Sequence, residues 1–302
     1  MVSTEGADQA ALERSYETQQ PWDMATAEGM LREFKQVMDG LGVVFFLRQG
    51  TCLGAVRDKA FIPWDDDLDL GSVLGLHGLT EKSVGPVAAA FRGKGYFVKE
   101  EQNAHYMSLA MIKSSIRTDW TACRIIDDSI YQFPGVRTPV KLFAQLREID
   151  FIGEKFLVPD PPEDYLRFKY GEDWMTPKET GYEKDVMEMI PESPLPGNAG
   201  RMRQFLSRHV LRWRACRLTV LDHEQRPVSG AEIVIAGLGL SRTNGQGYAR
   251  FYLPSGDCYA LLIRHDGHEE VLYQELMAPG GVYVYRPDPA SPSGRMMALS
   301  SE

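Results

Sequence analysis

The stretch Phe61–Val73, FIPWDDDLDLGSV, sets four aspartates within five positions and then turns to leucine, glycine and valine. Strands normally avoid Asp. If the run from Asp67 to Val73 is a strand, its side chains alternate. Asp67 and Asp69 then share one face, while Leu68 and Leu70 take the other. The two aspartate Cα atoms lie about 7 Å apart, two residues of strand rise. Leucines packed on one side fix both carboxylates on the other, where like charges repel and burial sharpens the repulsion. A divalent cation with hard oxygen ligands, magnesium above all, relieves that strain. The plainer reading of a bare DxD is a solvated acidic loop ahead of a strand. An EF-hand fails, because Leu70 stands where its glycine is needed and Leu76 where its glutamate is needed.

Working outward, VVFFLRQ (43–49) reads as a buried strand broken by Gly50-Thr51, and CLGAVRD as a short helix starting at the break. Backbone N–H groups at such a turn, at the positive end of a helix dipole, receive phosphate. Asp67 follows Gly50 by seventeen positions. A Gly-Ser/Thr turn followed by a DxD strand resembles the DNA polymerase beta-like nucleotidyltransferases. That resemblance implies an α+β fold with a mixed sheet and a third carboxylate on a neighbouring strand.

A longer run, RQGTCLGAVRDKAFIPWDDDLDLG, resembles the signature of LicD-type phosphotransferases, relatives of fukutin-related protein. FLVPDPPEDYLRFKYGEDWMTP resembles that family's later YG-x-x-W region, so the likeness spans Met24 to Pro177. Departures from the signature are Cys52 for leucine, Asp58 for the usual histidine and Ala60 for glycine. The resemblance implies that Asp67, Asp69 and a third acid hold magnesium or manganese. Asp119, in Arg117-Thr118-Asp119-Trp120, is the best match for the third position, with Asp127 and Asp150 as rivals. Gly50 and Thr51 would cradle phosphate, with Arg57 and Lys59 as the nearby cations and Arg48 and Lys113 as weaker candidates. Tyr170, Gly171 and Trp174 read more simply as a helix end with aromatic packing. The implied reaction moves a phospho-alcohol, phosphocholine or an alditol phosphate, from a CDP-linked donor to a sugar hydroxyl of a glycan, such as a cell-surface polysaccharide. The alternatives are an NMP-transferring nucleotidyltransferase and a non-catalytic glycan-binding or scaffold protein.

The remaining chain sets the organisation. From Ala27, Met30, Leu31, Phe34, Val37, Met38 and Leu41 follow the spacing of an amphipathic helix. Residues 1–23 are polar and read as flexible, 24–200 as the catalytic domain with a loop-like 176–198, and 201–215 as a basic linker helix. Six arginines between Arg201 and Arg217 read as a solvated helix face, or as a peripheral contact with an anionic glycan or lipid surface. Residues 216–287 hold short alternating runs spaced by turns such as Asn244-Gly245, the pattern of an all-β sandwich. RPVSGAEIVI and TNGQGYARFYLPSGDCYALLI resemble the carboxypeptidase regulatory-like, transthyretin-like domain. The tail, 288–302, reads as disordered.

Of the 302 residues 42 are acidic and 33 basic, a net charge of -9, which argues against nucleic acid as a partner. The four cysteines share no metal-ligand spacing, and none of the six histidines falls in a ligand-like cluster. The start lacks the features of a secretory signal and no run is apolar enough to span a bilayer, so the expected location is the cytoplasm.

Overall fold

Strand β2 (Asp67–Val73) does form, inside a five-stranded mixed sheet. Its companions are β1 (Phe46–Leu47), β3 (Phe97–Gln102), β4 (Tyr106–Lys113) and β5 (Ile116–Cys123), in the order β1-β2-β5-β4-β3. Only β2 and β5 run parallel. The computed structural model describes residues 7–18, 22–179, 181–190, 215–288 and 294–301. The chain divides into two units, Met1–Gln132 with Arg137–Met175, and Phe133–Val136 with Thr176–Glu302.

In the first unit, Leu68 and Leu70 are fully buried, as strand alternation requires. Each stabilises the fold by about 1.5–3 kcal/mol through its burial. Trp120 of β5 is also fully buried, and its indole N–H donates to Ser72 Oγ at 3.0 Å. Helix α1 (Gln9–Thr18) packs near β4 and β5, with Leu12 against Ala110 and Ile112. The flexible segment expected over 1–23 is therefore helical at 9–18. Helix α2 (Met24–Gly40) buries Ala27, Met30, Leu31, Phe34, Val37 and Met38, the predicted stripe. Asp23 caps it by accepting the Thr26 N–H at 2.8 Å. The expected strand over 43–49 shrinks to β1, because helix α3 (Gln49–Leu53) already starts at Gln49 and continues as a wide turn through Asp58. Helix α4 (Val84–Gly93) lies between β2 and β3. The strands β6 (Ser129–Gln132) and β7 (Val136–Pro139) follow β5. REIDFIGEKFLVP is the hairpin β8 (Leu146–Phe151) and β9 (Glu154–Pro159), turning at Ile152-Gly153. Helix α5 (Pro162–Tyr170) ends at Gly171, whose φ of 88° suits glycine.

The second unit is strand-rich. One sheet orders β13 (Tyr248–Phe251), β10 (Cys216–Val220), β16 (Val282–Tyr285) and β18 (Ser300–Ser301). The other orders β12 (Gly239–Arg242), β11 (Glu232–Ile235), β14 (Asp257–His265), β15 (His268–Met277) and β17 (Arg295–Met296). Leu218, Ile233, Leu261, Ile263, Leu272 and Tyr285 meet in the core that both sheets line. Val234, Leu262, Val271 and Tyr273 alternate to the other side and pack with Val186 and Met187 of helix α6 (Tyr182–Met189). Three expectations change here. The division falls at Met175/Thr176 rather than at 200, because α6 buries its apolar side on this sheet. The segment expected as a loop contains that helix. The tail expected to be disordered adds β17 and β18 as edge strands. The basic linker helix lies outside the described residues, apart from Ala215. Among the described residues no helix is long and apolar enough to cross a membrane.

Candidate functional site

The parallel pairing of β2 with β5 sets Asp67 opposite Arg117 and Asp69 opposite Asp119. Neighbouring strands are about 4.8 Å apart, so two residues of each strand place three carboxylates and one guanidinium on one patch of sheet. Arg117 donates from Nε to Asp67 Oδ2 at 3.0 Å, and its Nη2 bonds the same oxygen. It also lies 3.3 Å from Asp119 Oδ2 and 3.4 Å from Asp66 Oδ2. The Tyr16 ring of α1 stacks 4.4 Å from the guanidinium, and Arg117 Nη1 donates to the Ser15 carbonyl at 3.2 Å.

Helix α3 secures Asp69 from the other side. Its backbone N–H donates to Thr51 Oγ1 at 2.9 Å, and its Oδ2 accepts the Gly50 N–H at 3.3 Å. Arg48 enters by way of Gly71. A Cβ at Gly71 would stand 2.7 Å from the Phe46 ring and 3.0 Å from Arg48 Cδ, so the missing side chain leaves room for both. Arg48 Nη2 lies 3.9 Å from Asp69 Oδ1, and its Nε and Nη1 are buried without a hydrogen-bond partner. Gly50 is needed for the same reason. A Cβ there would meet Asp65 Oδ2 at 2.5 Å.

Crowding raises the proton affinity of these acids. Burial, and then the charge of Asp67, pushes Asp69 up to about 8 against the pull of Arg48 and Lys169. Burial pushes Asp119 up to about 7, although Arg117 opposes it. Asp66 rises to about 6 through burial and Asp67, and burial drives Asp65 well above the usual carboxylate range. Lys169, buried on α5, is lowered to about 7 by burial and by Arg48. With every acid ionised and every base charged, five carboxylates would face three cations, Arg48, Arg117 and Lys169, and the excess of two negative charges is what one divalent ion would neutralise. Asp65 Oδ2 and Asp119 Oδ1 are moreover buried with no hydrogen-bond partner. Hard, orphaned oxygens of this kind fit magnesium or manganese.

The expected residues fare differently. Asp67, Asp69 and Asp119 are brought together on one sheet face, yet among the described residues the acids with oxygens within 4.8 Å of one another are Asp65, Asp66 and Asp67. Arg117 intervenes between Asp67 and Asp119. Asp127 sits in a turn at φ 48°, and Asp150 of β8 pairs with Lys155 of β9, so neither rival joins the patch. Gly50 and Thr51 turn toward Asp69. Arg57 is gripped by Asp58 at 2.8 Å and 2.7 Å, and Lys59 is exposed just past the wide turn. Lys113 pairs with Glu33 at 2.6 Å. Trp174 packs into the core. The sequence reading missed Arg117, Lys169 and Tyr16 and gave Asp65 no role. Arg117 was readable, since it lies two residues before Asp119 and strand alternation puts both on one face.

Residues 42–160 match the family described as LicD/FKTN/FKRP, nucleotidyltransferase domain. The match includes Arg48, Gly50, the Asp65–Asp69 run, Arg117 and Asp119, and it stops short of α5 and of the part of the second unit that begins at Thr176. No curated protein matches the chain.

Proposed function

We propose that the first unit is a metal-dependent phosphotransferase of nucleotidyltransferase fold, which moves a phospho-alcohol from a CDP-linked donor to a sugar hydroxyl of a glycan. The observation that carries this reading is the register of β2 and β5, which sets Asp69 beside Asp119 within the segment matching the LicD/FKTN/FKRP nucleotidyltransferase domain. Asp67 and Asp69, joined by Asp119 and helped by Asp65 or Asp66, would hold magnesium or manganese. Such an ion, when bound, offsets charge that develops on the transferring phosphoryl group.

The chain's own residues have distinct tasks. Gly50 and Thr51 hold Asp69 in orientation through their two hydrogen bonds. Arg48, with two unpartnered donors beside Asp69, is the cation best provisioned to meet donor phosphate. This moves to Arg48 a role first given to Arg57 and Lys59. Asp119, on the same sheet face as Asp67 and Asp69, is the acid placed to take the acceptor hydroxyl's proton. The second unit, with its resemblance to a carboxypeptidase regulatory-like sandwich, would serve as a structural or interaction module.

The test is CMP release from a panel of CDP-alcohols with a mixture of glycan acceptors, with and without magnesium, for the wild type and Asp69→Ala. Magnesium-dependent release that disappears in Asp69→Ala supports the reading and names the donor. Pyrophosphate release from an NTP, with no CMP from any CDP-alcohol, would replace it with NMP transfer.

A further inference from the structure

Three of the six histidines converge at one end of the second unit, against the expectation that none would cluster. His265 closes β14 and His268 opens β15; they are register partners across the Asp266-Gly267 turn. Both therefore face the same side of the sheet, toward the core that the two sheets share. His223, in the turn after β10, belongs to the opposite sheet's end of that core. Its ring centre lies 5.8 Å from that of His268, and the His265 and His268 ring centres are 5.0 Å apart.

Two of these rings have nitrogens left to use. The His265 side chain is only 6 % exposed, and neither ring nitrogen has a hydrogen-bond partner. The nearest carboxylate is Asp266, 4.0 Å from Nδ1. His268 Nε2 lies 2.7 Å from the Tyr285 hydroxyl, which donates its own proton to Glu270 at 2.5 Å. A hydroxyl has one hydrogen, so His268 Nε2 must be the donor in the first bond. Neutral His268 is thereby fixed in the tautomer that leaves Nδ1 bare. A histidine held through its other nitrogen by a carboxylate relay is the usual outer arrangement of a metal ligand. Arg295, 2.5 Å from Glu270, anchors the far end of the relay. Asp222 is occupied by Arg226 at 2.9 Å.

We propose that His223, His265 and His268 form a site for a borderline divalent metal ion of the zinc class, separate from the carboxylate patch. Imidazole selects zinc, nickel, cobalt or copper over magnesium. The spacing fits. With a metal–nitrogen bond of about 2.0–2.1 Å, two tetrahedral imidazole ligands have ring centres about 5 Å apart. The nitrogens are not gathered within 4.8 Å of one another, so binding turns the His223 and His265 rings about their side-chain torsions while the relay keeps His268 in place. His223 is exposed on its turn and free to rotate. A bound ion would tie the end of β10 to the β14–β15 hairpin and so fasten the two sheets together.

The experiment uses the full chain carrying no polyhistidine tag, in a large excess of magnesium, titrated with Co²⁺ and then with Zn²⁺. The expected result is one Co²⁺ per chain with the visible absorption of a nitrogen-rich tetrahedral site, displaced by Zn²⁺ and untouched by magnesium. His268→Gln and His223→Ala should each weaken Co²⁺ binding at least tenfold, and Tyr285→Phe should weaken it roughly tenfold by loosening the relay. His223→Ala alters an exposed turn and decides the matter if His268→Gln does not fold. The proposal is overturned if no such band appears, if magnesium abolishes it, or if folded His223→Ala binds Co²⁺ as the wild type does.

Discussion

Arg117 grips Asp67 from the neighbouring strand, through Nε at 3.0 Å, at the point where the two residues are register partners. The same guanidinium reaches Asp119 and Asp66, so one buried cation restrains three acids. Removing one member of a buried ion pair costs about 3–5 kcal/mol, because the partner charge is left uncompensated. Arg117→Met should therefore lower stability by that amount in the absence of metal, and magnesium should recover a large part of it. Urea unfolding with and without magnesium measures both; a loss that magnesium cannot offset would argue against a cation among these carboxylates.

Asp67→Asn and Asp69→Asn should each lower turnover by about 10³-fold, equivalent to about 4 kcal/mol of barrier. Folding should survive, since each asparagine keeps an oxygen that can accept the Arg117 or the Gly50 hydrogen bond. Initial rates of CMP release, beside thermal melts of the same samples, separate lost chemistry from lost structure.

The pH dependence has a defined sign. Asp66, Asp119 and Asp69 rise from 3.8 to about 6, 7 and 8. Over those intervals the folded chain keeps protons that the unfolded chain releases. Their contribution to stability is full below pH 4 and is lost as pH climbs toward 8. Melting temperature without metal should fall between pH 5 and 8, and magnesium should flatten the decline. A melting curve that rises over this range would contradict the arrangement.

Arg48→Lys should raise the KM for the nucleotide donor about ten- to a hundredfold with a smaller change in kcat, because a point charge cannot replace a planar fork. Arg57→Ala, whose guanidinium is already paired with Asp58, should change KM less than about threefold. Equal effects from both would return the phosphate role to the turn.

Gly54 has no room for a methyl group. Its Cβ would stand 2.5 Å from the Ala60 carbonyl oxygen and 3.2 Å from the Ile62 nitrogen, both backbone atoms. Gly54→Ala should cost about 1–3 kcal/mol by overpacking. Gly29→Ala, on the exposed side of α2 with nothing within 4 Å, should gain about 0.5–1 kcal/mol. Denaturant melts of the pair give the contrast.

Strand alternation made Asp67 and Asp69 readable, and the α2 stripe announced itself through its 3.6-residue period. The β-rich character of the second unit followed from its turn residues. Helix α1 did not show, because QAALERSYET has few apolar positions and is held by packing against β4 and β5. Helix α6 was hidden among prolines and buries itself on a sheet far along the chain. Lys169 lay within a patch that reads as a helix end, and only the fold sets it near Asp69. The histidine cluster joins His223 to a hairpin some forty residues later, and no local pattern carries that pairing.

Strands β2 and β5 are neighbours, but about fifty residues lie between Asp67 and its partner Arg117. A chain leaving the ribosome exposes its acidic run well before the arginine that restrains it has been made. During that interval the aspartates are an open, charged loop that cannot collapse onto Leu68 and Leu70 without penalty. Assembly of the patch must wait for β5 to dock.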